Sequence, residues 1–135
     1  MTDLSAFLEA LRRQQEKYLE LAAMAEDQRK ALAAFDVDAL MGVVDRKRTI
    51  MSALESIERD LAPVKGRWAE LRPSLDAASI REVELTIEET RRVLGDLIRL
   101  EDDAKTELEK QRLSTARQLD DVANARRARG AYGIE

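Results

Sequence analysis

In the last third of this 135-residue chain, a helical apolar stripe begins and then fades. Apolar residues recur at helical spacing as Ile80, Val83, Ile87, Leu94 and Leu97. Past Leu108 the matching positions read Gln111, Thr115 and Gln118, while Leu113, Leu119 and Val122 persist but are scattered. No strong helix breaker intervenes before Gly130. A continuous helix from Ile80 to Arg129 would be about 75 Å long at ~1.5 Å per residue. The helices before it are shorter, so it must overhang, bend or fray. A long helix that keeps some leucines after its stripe is lost is expected to need another protein to cover them.

Two earlier segments carry the same periodicity. Leu4, Leu11, Tyr18, Ala25 and Leu32 form one heptad row. Phe7, Gln14, Leu21, Gln28 and Phe35 form a second, and Leu8, Gln15 and Ala22 widen the stripe. Spacings of three and four place them on one helix face. Gln14 and Gln28 are read as lying at the stripe edge in reach of water, because glutamine is seldom buried. The alternative is that they set helix register, as buried polar residues do in coiled coils. A second helix is expected after Asp36, which can cap its free amides, with Asp38 in its first turn. Its stripe runs Leu40, Val43, Val44, Ile50, Met51, Leu54, Ile57 and Leu61, with Lys47 laying its methylenes along the core.

Pro63 is expected to kink or end this helix near Leu61, since it has no amide hydrogen to donate. Val64, Trp68 and Leu71 then share a face of a short helical turn, with Trp68 closing one end of the core. Residues 73–78 read as a connector. Ser79-Ile80-Arg81-Glu82 has the form of a capping box and predicts the start of the third helix. The fold class is all-α: an antiparallel bundle or hairpin of three long helices with coiled-coil-like packing and an extended C-terminal helix. Residues 1–104 form the bundle, and residues 105–135 form a C-terminal binding arm and tail.

The composition agrees: 37% charged, 44% hydrophobic, 4% aromatic, five glycines and two prolines suit long helices. The net charge of −4 gives no general attraction to nucleic acid or anionic lipid. Residues 76–103 hold nine acidic against four basic side chains, and residues 105–135 hold seven basic against five acidic. The first stretch reads as a solvated face, the second as a match to a helix C-terminus. There is no cysteine, the start lacks a signal-peptide pattern, and no apolar run approaches the ~20 residues that cross a bilayer. A cytoplasmic protein without stable membrane insertion is expected.

Histidine is absent, which removes the commonest general base and transition-metal ligand. Adjacent Glu101, Asp102 and Asp103 diverge by about 100° on a helix, so they do not converge on a cation. Glu88 and Glu89 are spaced to pair with Arg91 and Arg92 across a helix surface. Gly42, Gly66 and Gly95 stand alone and cradle no phosphate. The expectation is a binding protein with no catalytic, cofactor or metal site, and not an enzyme.

For residues 105–135 two accounts stay open on these grounds: a surface helix end that frays, or a docking arm. In the second, Leu108, Leu113, Leu119, Val122 and Ala125 would make the contacts; Leu108, Leu119 and Val122 share a broad face and Leu113 lies off it. A structural coiled-coil scaffold or self-associating module is the alternative function.

The opening Leu4…Leu8…Leu11…Gln14-Gln15-Glu16…Tyr18…Leu21 resembles the start of the FlgN-type flagellar export chaperones. So do Gln28-Arg29-Lys30-Ala31-Leu32, Asp36-Val37-Asp38-Ala39-Leu40 and Arg46-Lys47-Arg48. The ending Arg129-Gly130-Ala131-Tyr132-Gly133 is similar to that family's tail. Residues 63–76 carry none of these marks. The resemblance implies a chaperone that holds hook–filament junction proteins of the FlgK and FlgL types by their C-terminal helical region before type III export. It further implies that Leu108, Leu119 and Val122 contact the client and that Tyr132 docks on an export gate of the FlhA type. A homodimer through the C-terminal helix is a further partner state, and no cofactor is implied.

Overall fold

Helices account for nearly all of residues 2–131, the residues that the structure, a computed structural model, describes. Among them there is no strand. Helix α1 spans Thr2–Ala33, α2 Val37–Gly66, α3 Trp68–Leu71 and α4 Ala77–Ala131, with a 3-10 turn at Arg72–Ser74 before α4. Three are long, and α3 is a single turn. The chain divides into two units, Met1–Leu100 and Glu101–Glu135.

In the first unit α1 and α2 pair antiparallel. Gln14 donates to Glu58 at 3.2 Å, Arg13 meets Asp60 at 3.4 Å, and Asp27 meets Arg46 at 3.8 Å. Early α1 thus faces late α2, and late α1 faces early α2. Two apolar clusters fill the space between them. One joins Phe7, Leu8, Ala10 and Leu11 to Ile57, Leu61 and Val83, with Val64, Trp68 and Ile87 packed against it. The other joins Leu21 and Met24 to Val43, Ile50, Leu54 and Leu97, with Tyr18, Ala22 and Leu94 against it. The early part of α4 contributes to both. Trp68 closes the first cluster, as its place in the sequence suggests.

The reversal between α1 and α2 occurs without glycine or proline. The Asp36 amide donates to the Ala31 carbonyl at 2.9 Å and the Phe35 amide to the Leu32 carbonyl at 3.2 Å. This is the Schellman arrangement, which requires a left-handed residue between helix and exit. Phe35 supplies it, at φ 53°. Asp36 then caps α2, its Oδ1 accepting from the Ala39 amide at 3.0 Å. Phe35 is therefore not the end of a core row, as the heptad count has it: it is 84% exposed.

Other expectations change for physical reasons. Gln14 is buried rather than wet, because Glu58 of α2 accepts its amide hydrogen. This is the register role of a buried polar group, while Gln28 stays half-buried at the stripe edge. Met51 is half exposed, outside the α2 core row. Pro63 does not stop α2, which runs on to Gly66. Leu61 is fully buried and Val64 and Trp68 pack on the same cluster, so burial there outweighs one missing hydrogen bond. Helix α4 starts at Ala77, two residues before the expected box. The Ile80 amide donates to the Asp76 carbonyl at 3.1 Å, and the Ser79 hydroxyl bonds the Asp76 carboxylate and holds its pKa below the ordinary value. Glu82, free of a capping duty, pairs with Arg12 at 2.9 Å.

Replacing Phe35 by glycine removes a left-handed side-chain penalty of roughly 1–2 kcal/mol, offset by the entropy glycine adds to the unfolded chain. Phe35→Gly is expected to raise the thermal midpoint by a few degrees, measured by circular dichroism. A fall would show that the ring stabilises the turn. Asp36→Ala should lower stability by about 1 kcal/mol through the lost cap, read from urea denaturation.

Candidate functional site

Burial along α4 ends abruptly. Val83, Thr86, Thr90 and Leu97 are buried. The two threonines sit among apolar neighbours at no hydrogen-bonding cost, since their hydroxyls donate to the Glu82 and Thr86 carbonyls, each at 2.8 Å. From residue 98 to 131 no side chain is buried, although the helix continues to Ala131.

The second unit is thus helical and carries apolar side chains in water. Leu108 is 46% exposed, Leu113 54%, Leu119 65% and Val122 50%. At ~100° per residue, Leu108, Leu119 and Val122 fall within about 60° of one another, and Ala125 lies about 60° beyond Val122. Leu113 is on the opposite side. Gln111, Thr115 and Gln118 share the face with the leucines and divide it into two apolar patches. The Thr115 hydroxyl donates to the Gln111 carbonyl at 2.9 Å, so the helix itself satisfies its donor. Ala125 is exposed, and Tyr132 lies outside the described residues.

These side chains offer contact surface rather than chemistry. Among the described residues no three carboxylates are placed to hold a metal ion. Among the same residues no helix is long and apolar enough to cross a membrane. Glu88, Glu89, Arg91 and Arg92 form none of the expected pairs with one another, although the spacing permits them. A family model described as FlgN protein matches residues 1–126. The chain belongs to the FlgN family. It is a family of flagellar export chaperones, not of enzymes. The match takes in Leu108, Leu119, Val122 and Ala125 and ends before Tyr132. No curated protein matched the chain, and no solved structure did.

The first unit of this FlgN-family chain has one polar network that sequence reading passes over. Glu58 accepts from Gln14 and, through its other oxygen, from Lys65 at 2.9 Å. Tyr18 lies beside it, half-buried. Burial, and secondarily the Glu58 carboxylate, raise the phenol above its ordinary 10.0. A raised pKa stabilises the fold fully below the unfolded value and loses that contribution as the pH climbs through the folded one. Alkaline melts should therefore show a stability loss beginning near pH 10. In Tyr18→Phe this component should vanish while the melt at neutral pH stays cooperative. An unchanged alkaline profile would remove Tyr18 as its source.

Sequence reading also passes over the exposed surface around the helical reversal. Phe35, Val37 and Met41 are 84%, 67% and 53% exposed. Their signal was the absence of glycine where the turn needs a left-handed residue.

Proposed function

We propose that this chain is a cytoplasmic export chaperone that holds the C-terminal helical region of hook–filament junction proteins, of the FlgK and FlgL types, with residues 105–131. One observation carries the reading. The helix continues from Glu101 to Ala131 without a buried residue, and Leu108, Leu119 and Val122 share one face of it. Family membership supplies the class of partner. An amphipathic client helix laid on that face would cover the two apolar patches and meet Gln111 and Gln118 between them with polar groups of its own.

The energetics favour reversible capture. Fully burying a leucine or valine stabilises by roughly 1.5–3 kcal/mol, and these are already about half covered. Three such contacts, less the cost of ordering both partners, give moderate affinity that permits release. Tyr132, near the end of the sequence, is the proposed contact with an export gate of the FlhA type. Residues 1–104 act as the folded base. Neither nucleotide nor metal has a part in this scheme.

Deleting residues 109–135 should leave a cooperatively melting protein that no longer binds client, as followed by calorimetry with a FlgK-type C-terminal peptide. Loss of cooperative melting would show that the deleted part belongs to the core. Leu119→Asp combined with Val122→Asp should weaken client binding by about tenfold or more, the loss of roughly 1.4 kcal/mol. Tyr132→Ala should leave client affinity unchanged and impair gate docking. Equal effects of the two variants on both partners would refute this division.

A further inference from the structure

Two surfaces of the first unit are complementary in charge and in apolar character. One is the turn between α1 and α2. Phe35 holds a left-handed backbone at φ 53° with its ring 84% exposed. Glycine at that position would make the same turn at less cost, so the fold retains strain and gains no burial for the ring in return. Val37 continues the apolar surface, and Asp36 and Asp38 flank it. Asp36 is engaged in capping, whereas Asp38 makes no hydrogen bond or ion pair among the described residues.

The other surface is concave. A cavity of about 390 Å³ lies over α1 between α2 and α4. Its apolar lining includes Leu11, Tyr18, Trp68, Ile87 and Leu94. Of the charged groups that line it, Glu58 and Lys65 neutralise each other at 2.9 Å. Arg91 is exposed, pairs with none of the described residues, and leaves the site with an uncompensated positive charge. The volume falls in the range of pockets that enclose a small ligand or an aromatic anchor.

We propose that the cavity receives the α1–α2 turn of a second copy of this chain, with Phe35 seated among its apolar residues and Asp38 beside Arg91. The contact is heterologous: each copy offers a knob and a cavity, so one pairing leaves a free knob and a free cavity for the next. One aromatic anchor and one exposed ion pair make a weak contact, strengthened at low ionic strength. It uses no residue beyond Leu100, so it is independent of the proposed client-binding segment.

Sedimentation equilibrium at low salt over a concentration series tests the pairing with the full chain. The wild type should show a weight-average mass that rises above 15.3 kDa with concentration. Phe35→Gly and Arg91→Glu should each remain folded by circular dichroism and stay at the monomer mass. An equimolar mixture of the two should regain mass and stop at a one-to-one complex, because only one competent knob and one competent cavity remain. Asp38→Arg combined with Arg91→Glu in one chain should self-associate again. A wild type that is monomeric throughout would overturn the proposal, as would a mixture that fails to associate. Association that survives Phe35→Gly but is lost in Leu119→Asp with Val122→Asp would also overturn it, placing the self-contact on residues 101–131.

Discussion

Helix formation and helix burial part company at Leu97. Up to that residue α4 supplies apolar side chains to the clusters between α1 and α2, and its two buried threonines satisfy their own hydroxyls. From there to Ala131 the backbone remains helical while no side chain is buried. An isolated helix is marginal in water, and most helical stability in proteins comes from a packed face. The segment after Leu100 therefore relies on propensity, continuity with a nucleated helix and surface pairs. It is the part of the molecule whose stability a partner can change most. A client helix that covers Leu108, Leu119 and Val122 would give this segment the burial it lacks.

That arrangement depends on the hairpin beneath the first half of α4. Its register is held by the fit of two apolar clusters and by the buried Gln14 amide on Glu58. A slip of one turn would leave Glu58 without Gln14 and Gln14 buried without an acceptor, at a cost of roughly 1–3 kcal/mol. The surface pairs Arg12–Glu82, Arg13–Asp60 and Arg46–Asp27 agree with the register but contribute little, about 0–1 kcal/mol each. Among the described residues, Phe35 at the reversal is the one non-glycine residue with a left-handed backbone. Its strain is tolerated because Asp36 caps the next helix and the Ala31 and Leu32 carbonyls are both satisfied.

Much of this was legible in the sequence. Period and composition are local properties, and they pointed to long helices, to the Asp36 cap and to the fading stripe. The errors arose where tertiary context decides. Pro63 reads as a kink or an end near Leu61, and burial of Leu61 beside Val64 and Trp68 carries the helix on to Gly66. Ser79 reads as a cap, but Asp76, three residues earlier, takes that place. Phe35 completes a heptad row on paper, and only the Schellman bonds reveal that the helix has already ended. Gln14 and Gln28 are alike in sequence and differ because Glu58 stands opposite one of them. For the candidate site, helical geometry put Leu108, Leu119 and Val122 on one face. The cavity over α1 was invisible, since its walls come from four helices and its rim charge depends on ion pairs that fail to form.

Amide hydrogen exchange, followed residue by residue with and without a FlgK-type C-terminal peptide, bears most directly on the uncovered helix. In the free chain, amides from about residue 101 to 131 should exchange far faster than those of residues 83–97, and the peptide should slow them while leaving the core unchanged. Equal protection of both segments in the free chain, or a peptide that protects only residues before Leu100, would contradict the account.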